Sequence, residues 1–159
     1  MQMASNRPQL SLKGRALKYL AAREHSRAEL ARKLAPHAGD PAEIEAVLDD
    51  LQARGFLSEA RYVASVVHRR AERFGVARIR QELLSKGTPA DQMTDALDAL
   101  RTTELERARE LWRRRFGQPP ADAREAARQN RFLMSRGFSS DVVRQVLRLA
   151  DHEHDHDNT

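Results

Sequence analysis

The sequence has 159 residues, of which 40% are hydrophobic and 32% charged, with a net charge of +5 at neutral pH. This length suits one domain or a series of small repeats, and the absence of cysteine excludes disulfides and thiolate chemistry. No run of 18 apolar residues occurs and the first nine residues are polar, so the sequence predicts a cytoplasmic protein without a signal peptide or membrane span.

The chain contains an internal repeat of about 50 residues, the length expected of a helical repeat unit. Residues 83–87 match residues 133–137, because both segments read leucine, an apolar residue, serine, a basic residue and glycine. Ala and Leu dominate the apolar residues and aromatic residues make up only 5%, which favours helices over strands. The sequence therefore predicts an all-α fold of three tandem three-helix repeats forming an elongated, curved array.

The repeat pattern divides the chain into five segments. We expect disordered ends because terminal polar residues have little apolar surface to bury. The segments are a disordered N-terminal tail at 1–9, three-helix repeats at 10–57, 58–101 and 102–150, and a disordered His/Asp-rich tail at 151–159.

The first repeat carries clear helix boundaries. Ser26 and Glu29 have the spacing of a capping box, which predicts that a helix begins there. Asp40 followed by Pro41 predicts the start of the next helix, and Gly55 predicts its end.

The second repeat shows similar signals. Ser58 predicts the start of its first helix, and Leu57 and Tyr62 have the spacing of a hydrophobic staple around that start. Gly87 predicts the end of the second helix. Thr88, followed by proline, predicts the cap of the third helix.

The third repeat is less regular. Its helices are predicted at about residues 103–116, 121–136 and 139–149, from the helical spacing of apolar residues. Gln129 and Asn130 lie where the other repeats have Leu or Ile. Terminal repeats are often atypical because one side lacks a neighbour.

The sequence shows no arrangement typical of catalysis. Histidine and carboxylate alternate in residues 152–157 and could hold a divalent metal, but nothing orients ligands in a flexible end, so no metal site is predicted. Asp49 and Asp50 are adjacent and would diverge by about 100° on a helix. No glycine-rich phosphate loop or HExxH motif occurs, so we expect neither an enzyme nor a cofactor.

Charge is distributed unevenly along the chain. Residues 40–60 carry six acids and one arginine, residues 61–87 carry seven bases and two acids, and residues 101–136 carry ten arginines and five acids. Arginine pairs well with phosphate, so this pattern favours a basic surface facing DNA or a nucleoprotein, while a solvated helix face remains the alternative. The candidate contact residues are Arg69, Arg70, Arg73, Arg78, Arg80, Lys86, Arg113, Arg114 and Arg115.

Two further functional hypotheses remain open on the residues alone. Short three-helix units with basic residues also occur in helix-turn-helix DNA-binding proteins, so a transcription factor or single-strand binder is one alternative. A scaffold for protein helices is the other. Aromatic residues are too few to predict base-stacking platforms.

Three blocks of the sequence resemble the RecX family. The first is Gly55–Val63, reading GFLSEARYV, the second spans residues 75–87, and the third spans residues 132–143. Their order and spacing match the family's pattern over about residues 11–149. The chain departs from that pattern at Val76, where proline is common, and at the predicted cap of the second repeat, where serine replaces an acidic residue.

The resemblance implies a cytoplasmic bacterial regulator of recombination and DNA repair. RecX-like proteins bind the RecA recombinase filament on single-stranded DNA, lodge in its groove and block its extension. They thereby lower its ATPase and strand-exchange activities. The expected partners are therefore the RecA filament and single-stranded DNA, with the protein acting as a monomer without a cofactor.

Overall fold

The structure is a computed structural model that describes residues 9–158. Within that range it contains nine α-helices, two 3-10 turns and no strand, so the predicted all-helical fold is confirmed. No helix in this range is long and apolar enough to cross a bilayer. The helices are α1 (Leu12–Ala22), α2 (Arg27–Leu34), α3 (Pro41–Ala53), α4 (Glu59–Arg70), α5 (Val76–Ser85), α6 (Thr94–Arg101), α7 (Glu104–Arg115), α8 (Ala123–Ser135) and α9 (Ser140–Asp157).

The chain forms two compact units. Unit 1 contains the described residues up to position 62 together with residues 86–88, and unit 2 contains residues 63–85 and the described residues from 89 onward. The predicted N-terminal tail lies outside the described residues except for position 9.

Each unit has its own apolar core. In unit 1, leucines of α2 and α3 pack around Ala16 of α1, and Leu34 is completely buried. In unit 2, Trp112 of α7, Leu133 of α8 and Val143 of α9 form a cluster that excludes water. The amphipathic spacing seen in the sequence therefore places one apolar face of each of these helices inward.

Several predicted helix boundaries are confirmed. The side chains of Ser26, Asp40 and Ser58 each accept a hydrogen bond from a backbone N–H in the first turn of α2, α3 and α4 respectively. Gly55 and Gly87 follow α3 and α5 with φ angles of +79° and +83°. Glycine adopts this left-handed conformation more readily than other residues, which explains the helix ends.

At two boundaries the local contacts differ from expectation: the helix predicted at Ser26 begins there without the second bond of its capping box, and the cap predicted at Thr88 is wrong. Glu29 does not complete the capping box, because its carboxylate is hydrogen-bonded by the guanidinium of Arg23. Thr88 does not cap α6, because the backbone of Pro89 is extended and the chain passes through a 3-10 turn before α6 begins at Thr94. The Oγ1 atom of Thr88 is instead buried without a hydrogen-bond partner among the described residues.

The C-terminal end also differs from expectation. Residues 151–157, predicted to be disordered, continue α9 as a helix. The carboxylate of Glu153 forms ion pairs with Arg109 and Arg113 of α7. A contact between residues 40 positions apart in sequence cannot be read from local composition, which is why the prediction failed. Among residues 9–158, no three histidines or carboxylates are grouped to hold a metal ion.

Candidate functional site

The start of α5 and the turn after α8 meet closely in unit 2. The backbone N–H of Gly75 donates to the carbonyl of Arg136 at 2.8 Å, and the guanidinium of Arg78 donates to the carbonyl of Ser135 at 3.0 Å. A Cβ atom on Gly75 would lie 2.3 Å from the carbonyl oxygen of Gly137. Only glycine permits this approach, which brings the residue before it, Phe74, beside the end of α8.

Arginine side chains surround the ring of Phe74. The guanidinium carbons of Arg78, Arg136 and Arg70 lie 4.9, 5.5 and 5.8 Å from the ring centroid. Each such contact stabilises an exposed arginine by about 0.5–1 kcal/mol, through attraction between the cation and the electron-rich ring face. The ring therefore holds three cations in one small region of the surface.

A second aromatic pair continues this arrangement. The rings of Phe116 and Phe132 pack edge to face with centroids 5.4 Å apart. Arg136 and Arg115 lie 5.1 and 5.3 Å from the Phe132 centroid, and Arg128 lies 5.7 Å from that of Phe116. Arg136 contacts both Phe74 and Phe132, so it joins the two groups.

An open groove of about 480 Å³ lies beside these rings, and we call it the arginine groove. Its lining residues are Arg73, Leu111, Arg114, Arg115, Phe132 and Arg136. Among the described residues, none of its four guanidinium groups has a carboxylate oxygen within 4 Å; Arg114 donates only to the carbonyl of Glu72, at 3.4 Å. Uncompensated positive charge on a partly apolar surface attracts anionic ligands.

The structure brings together only some of the predicted contact residues. Arg73, Arg114 and Arg115 line the arginine groove, and Arg70 and Arg78 reach the adjoining Phe74 ring. These five residues come from α4, the loop that follows it, α5 and α7, and all of them belong to unit 2.

The other predicted residues lie elsewhere or are paired with acids. Arg69 lies 3.9 Å from Glu82, which also accepts a hydrogen bond from Arg70. Arg113 contacts Glu110 and Glu153 at 3.6 and 3.5 Å, although the neighbouring Arg114 and Arg115 do not. The two remaining residues, Lys86 and Arg80, are both exposed; Lys86 belongs to unit 1, where it lies 3.8 Å from Glu29.

Sequence reasoning missed Arg136, Arg128 and the aromatic rings. Arg136 could have been found from the basic-Gly step that the repeats share, because Lys86 precedes Gly87 in the same way. The low aromatic content concealed the rings, since three of the five phenylalanines gather at this one surface.

A partly buried arginine supports the loop that carries Phe74. Arg107 of α7 donates to the backbone carbonyls of Ala71 and Phe74 at 2.8 and 2.7 Å. Burial lowers the pKa of Arg107, and the nearby carboxylate of Glu104 opposes that shift. Glu104 also accepts a hydrogen bond from the backbone N–H of Val76 at 3.2 Å. These contacts satisfy the polar groups of the loop and position Phe74.

Unit 1 contains a polar centre of a different kind. Burial of Glu29 would raise its pKa, but hydrogen bonds from Arg23 at 2.9 and 3.0 Å lower the pKa below its ordinary value. His25 lies between the carbonyl of Arg23 at 3.0 Å and the ammonium of Lys33 at 2.9 Å. Because an ammonium only donates, the nitrogen facing Lys33 accepts and the other carries the proton. Burial and the nearby cations lower the pKa of His25.

Comparison with protein families places the three repeats. Residues 13–51, 58–97 and 102–147 match the first, second and third three-helix domains of RecX. The expected organisation of three tandem three-helix repeats is therefore confirmed.

Individual proteins give the same result. The chain is 52% identical over 149 residues to a protein of Ralstonia nicotianae named Regulatory protein RecX, covering 94% of each chain. It is 50% identical over 147 residues to the protein of that name from Herminiimonas arsenicoxydans, covering 92% of this chain and 97% of the relative. The crystal structure of RecX from Lactobacillus salivarius has a similar fold, with a TM-score of 0.76 at 21% identity over 88% of this chain and 94% of that one.

Proposed function

Because this chain belongs to the RecX family, whose similar members are named regulatory proteins, we propose that it regulates the RecA recombinase by binding the RecA filament on single-stranded DNA. In this proposal the protein, as a monomer in the cytoplasm, lodges in the filament groove and blocks extension. It thereby lowers the ATPase and strand-exchange activities of RecA and modulates recombination and repair.

The observation that supports this proposal is the arginine groove. Its guanidinium groups have no carboxylate partner among the described residues, so they are available to phosphates or to acidic side chains of a nucleoprotein. A ligand shifts an equilibrium only by its difference in affinity for the two states. Inhibition therefore requires tighter binding to the filament than to free RecA and free DNA.

The direct test is ATP hydrolysis by RecA on single-stranded DNA while this protein is added at substoichiometric ratios. We expect the hydrolysis rate to fall when the ratio of this protein to RecA subunits is still well below one, because blocking one filament end affects many subunits. The control measures binding to naked single- and double-stranded DNA at two salt concentrations. Unchanged hydrolysis together with specific duplex binding would instead support the helix-turn-helix DNA-binding alternative.

The arginine groove itself can be tested with variants. Replacing Arg114 and Arg115 by alanine should weaken binding to the filament and reduce the slope of log K against log salt by about 0.7 for each phosphate that the variant no longer neutralises. Arg113→Ala should have a smaller effect, since two carboxylates already pair with that residue.

Arg144→Ala is a matched control. It removes one exposed arginine that pairs with Asp141 on α9 and lies outside the groove. Fluorescence anisotropy of labelled filaments at several salt concentrations measures all three variants. A salt slope for the double variant equal to that of the unmodified protein would remove the groove from the interface.

A further inference from the structure

α9 is longer than α6, the helix at the equivalent position of the second repeat. With the repeat offset of 50, α6 ends at the position matching residue 151, whereas α9 continues to Asp157. The additional turns carry alternating acids and histidines. They are attached to the rest of unit 2 by the carboxylate of Glu153, which reaches α7.

One carboxylate of this segment contacts two arginines. Glu153 Oε1 accepts a hydrogen bond from Arg109 and lies 3.5 Å from a guanidinium nitrogen of Arg113. The two arginines are one helical turn apart, so their side chains leave the same face of α7. Glu106 and Glu110 contact the same two arginines at 3.6 Å from within α7.

The contact is exposed enough to be exchanged. The side chains of Glu153 and Arg113 are 53% and 43% accessible, whereas that of Arg109 is 19% accessible. The Glu153–Arg113 pair contributes little, because water and salt screen it, and the same carboxylate oxygen holds the less exposed Arg109. An external polyanion that presents several negative charges can therefore compete with the single carboxylate of Glu153.

We propose that the acidic end of α9 is a built-in competitor that covers Arg109 and Arg113 until phosphate groups of single-stranded DNA displace it. The identity of the partner rests on the proposed function. Arg113 directly precedes Arg114 on α7, and adjacent helix residues point about 100° apart, so displacement would expose a second basic face of α7, distinct from the arginine groove. The planar guanidinium groups suit the paired oxygens of phosphate, and a strand presents many phosphodiesters, each with one negative charge, against the single carboxylate of Glu153.

The competitor is tested in the full-length chain with Glu153→Gln. Asp157→Asn is the matched control, because it removes the same charge from the same helical end, and Asp157 forms no ion pair with Arg or Lys among the described residues. The probe is a labelled 20-nucleotide oligo(dT), and anisotropy gives the dissociation constant at several salt concentrations.

We expect Glu153→Gln to tighten oligo(dT) binding about two- to fivefold, the range that loss of one exposed ion pair allows, with a steeper salt slope. Asp157→Asn should change binding less. Equal tightening by both variants would show that the effect comes from net charge and would overturn the proposal. No tightening by either variant would also overturn it. Tighter binding of poly-glutamate without tighter binding of oligo(dT) would overturn the assignment to phosphate.

Hydrogen exchange gives an independent readout. Backbone amides in residues 151–157 should exchange faster in Glu153→Gln and when oligo(dT) is bound to the unmodified protein. Unchanged exchange in both cases would show that the helical end stays in place and would overturn displacement. If Glu153→Gln tightens oligo(dT) binding while the unmodified protein leaves RecA hydrolysis untouched, the proposed function fails and the competitor stands.

Discussion

Two turns share the pattern of a basic residue followed by glycine, and each packs against the start of a helix. The group that donates the hydrogen bond differs between them. In unit 1, the carbonyl of Lys86 accepts a hydrogen bond from the side chain of Ser26 at 2.8 Å. In unit 2, the carbonyl of Arg136 accepts one from the backbone N–H of Gly75, also at 2.8 Å. The acceptor is the residue before the glycine in both turns, so the repeat preserves the acceptor while the donor changes from side chain to backbone.

The change of donor alters how closely the chains approach. A Cβ atom on Gly87 would lie 2.5 Å from the side chain of Ala28, whereas one on Gly75 would lie 2.3 Å from the backbone oxygen of Gly137. A backbone donor brings two main chains together, and neither can move aside without shifting its helix. The unit 2 turn therefore depends on glycine at both partners, while the unit 1 turn depends on one glycine, Gly87, and on the side chain of its serine.

Gly75→Ala should have the largest effect on stability. The added methyl group would overlap the carbonyl of Gly137, so we expect the free energy of unfolding to fall by about 3 kcal/mol or more. Urea unfolding monitored by circular dichroism measures the change. Gly39→Ala is the control, because nothing lies within 4 Å of its Cβ position, and it should change stability by less than about 0.5 kcal/mol. Equal stability of the two variants would contradict the close approach.

Ser26→Ala should have an intermediate effect. Its hydroxyl both caps α2 and donates to Lys86, so we expect a loss of about 1–2 kcal/mol. Ser58→Ala removes a cap alone and should cost about 0.5–1 kcal/mol. Thermal melting compares the two variants. A Ser26 variant no less stable than the Ser58 variant would mean that the bond to Lys86 contributes nothing.

The smallest effect concerns the pH dependence of unit 1. Burial lowers the pKa of His25, so below about pH 6.5 the unfolded chain binds a proton that the folded chain does not. Stability should therefore be complete above that pH and decrease as the pH falls toward the folded pKa, by at most about 1.4 kcal/mol per pH unit. His25→Gln should flatten this dependence in urea titrations between pH 7.5 and 5.5. An unchanged slope would assign the acid sensitivity to other groups.

Much of the fold follows from local sequence signals. The apolar spacing and the caps at Ser26, Asp40 and Ser58 act within one or two helical turns, so they are visible in the sequence, and the 50-residue repeat shows where such signals recur. Thr88 shows the limit of such signals, because a serine-like cap motif is overridden when the following proline directs the chain into a 3-10 turn.

The candidate site depended on contacts that the sequence does not reveal. Charge counting found Arg73, Arg114 and Arg115, but it also included Arg113, which is paired with acids. The difference between these neighbours arises from Glu110, one turn away on α7, and from Glu153, which is 40 residues away and lies in a segment predicted to be disordered. The first partner is local in sequence, whereas the second depends on tertiary structure.

The irregular third repeat has a practical consequence. Gln129 occupies an apolar position of the repeat, is buried, and accepts a hydrogen bond from the indole N–H of Trp112 at 2.8 Å. Trp112 is the only tryptophan in the chain, and its side chain lies in the core formed by α7, α8 and α9. Its fluorescence emission therefore reports the packing of the third repeat alone. A shift of the emission toward longer wavelength marks the opening of that repeat, and opening of the other two repeats does not change the signal.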